Sequence, residues 1–144
     1  MKLAIASDHA GYALKEAIKQ AFIEHTFVDF GAGGEYCVDY PDTGFPAAQA
    51  VAEGLCEMGI LICGSGIGMS ITANKVPGIR AALCNISDTA RLSRMHNNAN
   101  VLVLAGRFTA VAYALQIVET WLATPFEGGR HQTRIDKIHQ GERS

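Results

Sequence analysis

Five short apolar runs, each parted from the next by a stretch of helical character, limit what this chain can fold into more than any other feature. They are "LAIAS" at 3–7, "TFVDF" at 26–30, "GILIC" at 59–63, "GIRAALC" at 78–84 and "NVLVLAG" at 100–106. Strands this short and this apolar need cover on both faces, and intervening helices supply it in a parallel sheet. Helices are predicted over 14–25, where Leu14, Ile18, Ala21 and Phe22 share a face, and over 46–58, with Pro46 in the first turn. Others are predicted at 67–75, from Asp88 to about 96, over the strongly apolar 109–123, and from about 131 to 140. "CVDYPDTGF" reads as a loop, and no repeat or linker composition breaks the pattern. The expectation is one α/β domain over 1–144, doubly wound and Rossmann-like. Its five-stranded parallel sheet carries helices on both faces, and a basic helix closes the chain.

Composition narrows the classes of function. With 144 residues there is enough chain for one real core. A net charge of -2 and only 18% charged residues argue against a nucleic-acid coat or an acidic tail. So little charge leaves surface for a second subunit to cover, which favours a homo-oligomer. Cys37, Cys56, Cys63 and Cys84 are scattered and form no C-x-x-C pair, the usage of a cytosolic protein with free thiols. "MKLAIASDHAG" lacks the long apolar region of a signal peptide, and no apolar stretch reaches membrane-spanning length. A cytoplasmic protein with no membrane partner is expected. The histidines at 9, 25, 96, 131 and 139 show no metal-ligand spacing, and the aromatic residues are not interleaved with basic ones. Neither a metal nor a nucleic-acid partner is expected.

In doubly wound folds ligands gather beyond the carboxyl ends of the strands. Ser7, Asp8 and His9 follow the first predicted strand, Cys63 to Gly68 the third, and Gly106 and Arg107 the fifth. In "CGSGIG" at 63–68, glycines allow close backbone approach, and the following helix offers free N–H groups and the positive end of its dipole. Such a nest suits an anion, a developing oxyanion or a thiolate. An ordinary tight turn with an inert cysteine fits the same residues. A P-loop reading fails because Met69 and Ser70 stand where Lys and Ser or Thr belong. A dinucleotide fingerprint would follow the first strand, and a cysteine phosphatase would need an arginine in this loop.

Three further stretches carry candidates. Asp8 either caps the next helix or handles a proton, while His9 is placed to meet an anion. "RLSRMHNNAN" at 91–100 offers His96 as an acid–base residue amid amide groups, or simply a helix stop. In "GGRHQTRIDK" at 128–137, Arg130 and Arg134 are four apart and face one way, a good receptor for a phosphate monoester, with His131 beside them. A solvated terminal helix is the plainer reading.

These pieces, together with "VDYPD" at 38–42, "ICGSGIGMSITANK" at 62–75, "GIRAALC" at 78–84, "LSRMHNNANVL" at 92–102 and "EGGRHQTR" at 127–134, resemble the type B ribose-5-phosphate isomerases. That family includes the galactose-6-phosphate isomerase subunits, and the likeness covers nearly the whole chain. The resemblance implies a cofactor-independent aldose–ketose isomerase, interconverting ribose 5-phosphate and ribulose 5-phosphate through a cis-enediolate. It implies a homodimer or homotetramer with active sites at the subunit interface. By the same resemblance, Cys63 is the general base and Ser65 serves a sugar oxygen. The main chain around Gly64, Gly66, Ile67 and Gly68 cradles the enediolate. His96 opens the sugar ring, supplied by the partner subunit, with Asp8 assisting. His9, Arg130 and Arg134 contact phosphate with His131 nearby, and Tyr40, Asn97 and Arg107 are substrate-side positions. Asn98 departs from the family, which commonly has Asp there, and Asn85, Ile86 and Ser87 also differ. An isomerase of allose 6-phosphate or galactose 6-phosphate is the alternative, and a non-catalytic phosphosugar-binding module is a further one.

Overall fold

The computed structural model of this chain describes residues 1–142, so residues 143 and 144 of the expected domain lie outside the described residues. Its elements run β1 (Lys2–Ser7), a 3-10 turn (His9–Gly11), α1 (Tyr12–Ala21), β2 (Thr26–Asp29), α2 (Tyr40–Ala52) and β3 (Met58–Cys63). There follow α3 (Ile67–Asn74), β4 (Ala81–Leu83), α4 (Ser87–Asn97), β5 (Val101–Ala105), α5 (Val111–Ala123) and α6 (Arg130–Gln140). All five strands are parallel, in the order β2-β1-β3-β5-β4. This is the expected Rossmann-like α/β architecture.

Strand alternation sorts the core into two layers. Ala4, Ala6, Leu61, Cys63, Val101 and Val103 face α2 and α3, whose contacts include Ala47, Ala48, Val51, Met69 and Ala73. Small side chains let these helices lie close to the sheet. Ile5, Ile60, Ile62, Leu102 and Leu104 face the other way, against Leu14, Ile18, Ile117, Val118 and the fully buried Trp121. The parity of β3 therefore sends the Cys63 side chain toward the α2–α3 layer.

The order of strands reverses between β1 and β3. Connections after these two strands leave in opposite directions along the sheet, which opens a crevice at their carboxyl ends.

Boundaries of three elements correct the sequence reading. The helix expected over 14–25 runs from Tyr12 to Ala21. The helix expected at 46–58 begins instead at Tyr40 and ends at Ala52, absorbing much of the expected loop. Pro41 takes the first-turn position, and Pro46 lies inside the helix, exposed, where its missing N–H leaves the Asp42 carbonyl without its helical partner. The fourth strand shortens from 78–84 to three residues, because the side chain of Asn100 bonds to the Arg80 N–H and the Gly78 carbonyl in place of a ladder.

A fully buried lysine fixes the β2 edge. Lys15 Nζ donates to Asp29 Oδ2 at 2.5 Å, and Lys19 donates to the same oxygen at 2.8 Å. Asp29 Oδ1 accepts the Gly31 N–H at 2.8 Å. Burial opposes ionisation of this carboxyl, but the two lysines and the amide outweigh it and hold Asp29 below its ordinary value. The four cysteines are free thiols, with only Cys37 exposed. Among the described residues no helix is long and apolar enough to cross a membrane.

Candidate active site

The β1–β3 crevice opens into a cleft of about 470 Å³, lined by Asp8, Tyr40, Cys63, Gly64, Ser65, Ile67, Gly68, Ile71, Arg107 and Phe108. Eight of the candidates read from the sequence meet here. Each is placed by a local necessity. Gly66, at φ 77, caps α3 in the left-handed region, and a Cβ there would come within 2.4 Å of the Leu83 side chain. Gly68 admits the Tyr40 ring, since a Cβ would come within 2.5 Å of it. The Gly106 and Arg107 N–H groups bond to the Cys63 and Gly64 carbonyls, which brings the loop after β5 beside the loop after β3.

The first bond within α3 runs from the Ser70 N–H to the Gly66 carbonyl. The amides of Ile67, Gly68 and Met69 therefore have no partner inside the helix. Ser65 Oγ accepts the Ile67 N–H at 3.2 Å, which leaves Gly68 and Met69 to face an incoming oxygen. Asp8 is buried, and its Oδ1 accepts the N–H groups of Ala10 and Gly11 at 3.0 and 3.1 Å. It caps the 3-10 turn and lines the cleft at once. His9 Nδ1 accepts the Val38 N–H at 3.5 Å, so Nε2 is the nitrogen left for a ligand.

The remaining candidates lie elsewhere. α4 ends at Asn97 and the chain enters β5 at Val101, so His96 and Asn97 sit at the amino edge of the sheet. Cys63 pairs with Ala105 at the far end of β5. The steps from Val101 to Ala105 alone separate the two groups by roughly 13 Å. α6 joins His96 at that amino edge: the His96 and His131 rings stack with centroids 4.4 Å apart and planes 18° from parallel. His131 is buried, with Nε2 3.3 Å from a Glu127 carboxylate oxygen but out of line for a hydrogen bond. Arg130 and Arg134 are exposed, and among the described residues neither forms an ion pair.

Nitrogen and oxygen atoms of His96, Glu127 and His131 come within 4.8 Å of one another. Imidazole binds a metal in its own plane, and an ion in the plane of one stacked ring lies out of the plane of the other. The trio is built for stacking, not chelation. A second hollow at this edge, about 250 Å³ and lined by Asn74, Ile79, Arg80, Ala81, Ala82, Asn97, Ala99 and Ile138, brings no acid–base pair together.

Two residues with roles here escaped the sequence reading. Arg80 reaches the carbonyls of Asn97 and Asn98, and Glu127 meets His131. An arginine inside an apolar strand-like run was the available signal. The Asn98 departure has a structural account: at φ 44 it ends α4 in the left-handed region, and its Oδ1 accepts from Arg94 Nη1 at 2.9 Å. The side-chain oxygen an aspartate would supply is still there, without its charge.

Comparison with known proteins places nearly the whole chain in a family. The family model described as Ribose/Galactose Isomerase matches residues 3–138. Ribose-5-phosphate isomerase B of Escherichia coli is 43% identical, covering 95% of this chain and 93% of its own. The structure of ribose-5-phosphate isomerase B from Clostridium thermocellum superposes with a TM-score of 0.96 at 52% identity, covering 97% of this chain and 96% of that one. That of Mycoplasma genitalium ribose-5-phosphate isomerase B with bound ribulose 5-phosphate gives 0.92 at 44% identity, covering 96% and 94%. Sequence and fold thus agree along almost the entire length, and this chain belongs to the ribose/galactose isomerase family.

Proposed function

We propose that this protein interconverts ribose 5-phosphate and ribulose 5-phosphate by proton transfer through a cis-enediolate, in a site shared between two copies of the chain. The observation that carries the reading is the Cys63 thiol at the crevice floor, beside the Gly68 and Met69 amides at the start of α3. The names of the relatives and the ribulose 5-phosphate bound in one of them support the choice of sugar.

The chemistry follows from the groups. Ribose 5-phosphate is mostly cyclic, so a proton first passes from the O1 hydroxyl to the ring oxygen, with His96 and Asp8 as the acid–base pair. The Cys63 thiolate then takes the proton from C2. The C–H electron pair forms the C1–C2 double bond, and the carbonyl pair moves onto O1. The α3 amides and dipole meet that negative oxygen where its charge develops, and loss of one such donor costs about 3 kcal/mol in other enzymes. Ser65 relays the O2 proton to O1, and Cys63 returns its proton to C1, which leaves a carbonyl at C2. Arg130 and Arg134 hold the phosphate, with His9 and Arg107 on the substrate side, and this remote binding orients the reacting carbons.

Support for a shared site comes from topology. His96, Arg130 and Arg134 occupy the opposite sheet edge from Cys63, and a second copy is what can bring them to the cleft. Ile67, Ile71 and Phe108 stand exposed at the cleft mouth, Phe108 at 80%, an apolar rim suited to subunit contact. The test is Cys63→Ala. It should lose conversion of ribose 5-phosphate while still binding ribulose 5-phosphate in calorimetry, and a fully active Cys63→Ala protein would remove the base from the scheme.

A further inference from the structure

Arg80 takes no part in the chemistry above, yet its side chain makes four hydrogen bonds at the amino edge. Nε donates to the Asn97 and Asn98 carbonyls at 3.1 Å each, and Nη2 donates to Asn98 at 2.8 Å. These carbonyls lie at the end of α4, where no further turn supplies N–H partners. Nη1 lies 2.8 Å from His139 Nε2. A guanidinium only donates, so Nε2 is the acceptor and the neutral ring carries its proton on Nδ1. Nδ1 then donates to Glu142 Oε1 at 2.8 Å, and that oxygen also accepts the Gly78 N–H at 2.9 Å. The relay begins and ends in segment 78–80, gripping the turn after His96 on one side and α6 on the other.

The anchorage matters because α6 is thinly docked. Of its residues only His131 and Ile135 are buried. The His96–His131 stack holds its beginning, and the Arg80–His139 contact holds its end. We propose that Arg80 and His139 are positioning residues that lock the turn after His96 to α6, so that the ring-opening imidazole meets the partner's cleft in a fixed pose. This rests on the isomerase reading above. Lysine cannot substitute, since a single ammonium does not reproduce the planar fork that reaches two carbonyls and an imidazole together.

The test separates ring opening from proton abstraction. Ribulose 5-phosphate cannot close a five-membered ring, because its C5 oxygen carries the phosphate. Solvent deuterium exchange at its C1 therefore needs the Cys63 cleft but no ring chemistry. Arg80→Lys and His139→Leu are purified as the full chain, and thermal melts establish folding. For Arg80→Lys, kcat with ribose 5-phosphate should fall about tenfold or more, while exchange at saturating ribulose 5-phosphate stays within about threefold of wild type. His139→Leu should show the same split at smaller size, and it carries the test if Arg80→Lys fails to fold. An unchanged kcat in the folded variants, or equal losses of kcat and exchange, overturns the positioning role while the isomerase reading stands. A wild-type chain inactive on ribose 5-phosphate overturns both.

Discussion

If the site is shared, two inactive proteins should make an active one. Cys63→Ala lacks the base in the crevice, and His96→Ala lacks the ring-opening group at the opposite sheet edge. In a mixed dimer, one site receives both defects and the other receives the wild-type residue from each copy. Equal amounts unfolded and refolded together pair at random, so about half the dimers are mixed. Each of these has one intact site of two, and the recovered rate should approach about a quarter of the wild-type rate. The assay is conversion of saturating ribose 5-phosphate, with differently tagged copies counting the mixed dimers. The roughly 13 Å of β5 between the two edges leaves no route by which one chain could complete its own site. Mixed dimers with no more activity than either parent would refute the shared-site reasoning, and so would a His96→Ala protein that is fully active alone.

Two stability predictions come from charges inside the fold. Asp29→Asn leaves the buried Lys15 ammonium with only the more distant Glu16 carboxylate at 3.8 Å and should cost about 2 kcal/mol, less than for a fully buried pair because the Asp29 side chain keeps 25% of its surface in water. Thermal melts read this as a lowered Tm. Because the folded-state carboxyl lies below its ordinary value of 3.8, its contribution is complete above that value and is lost as pH falls through the lower folded value. Wild type should therefore lose more urea resistance than Asp29→Asn between about pH 6 and about pH 3, and parallel losses would contradict the assignment. Arg94 is buried against the Trp121 ring, and its hydrogen bonds go to the Thr124 carbonyl, the Asn98 amide oxygen and the Ala99 carbonyl, none of them charged. Asn98→Asp should turn one of these into an ion pair and raise stability by about 1 kcal/mol, and a lowered Tm would show that the amide N–H has a role of its own.

The layered sheet was legible because its strands are short, apolar and regularly parted by helical patterns. The start of α2 was not, since Pro41 and Pro46 both suit a first helical turn and local sequence cannot choose between them. The crevice half of the site could be read from Asp8, Cys63–Gly68 and Arg107, which share one end of parallel strands. The other half resisted because sequence proximity to a strand does not say which edge matters: His96 precedes β5, whereas Arg107 follows it. Arg80 was illegible for a related reason. Its partners stand 17, 18 and 59 residues away, and only the folded amino edge brings them together. Lys15 stands three residues before Ile18 on the buried side of its helix, and its charge is accommodated there because Asp29 waits on the neighbouring strand, a partner that local sequence does not show.

The most direct test of the whole scheme is the structure of this protein with ribulose 5-phosphate bound. The scheme predicts the Cys63 sulfur at about 3–3.5 Å from both C1 and C2, with O1 on the Gly68 and Met69 amides and the phosphate on arginines from a second copy. A sugar bound with those carbons out of reach of the sulfur, or held entirely by one copy, would contradict it.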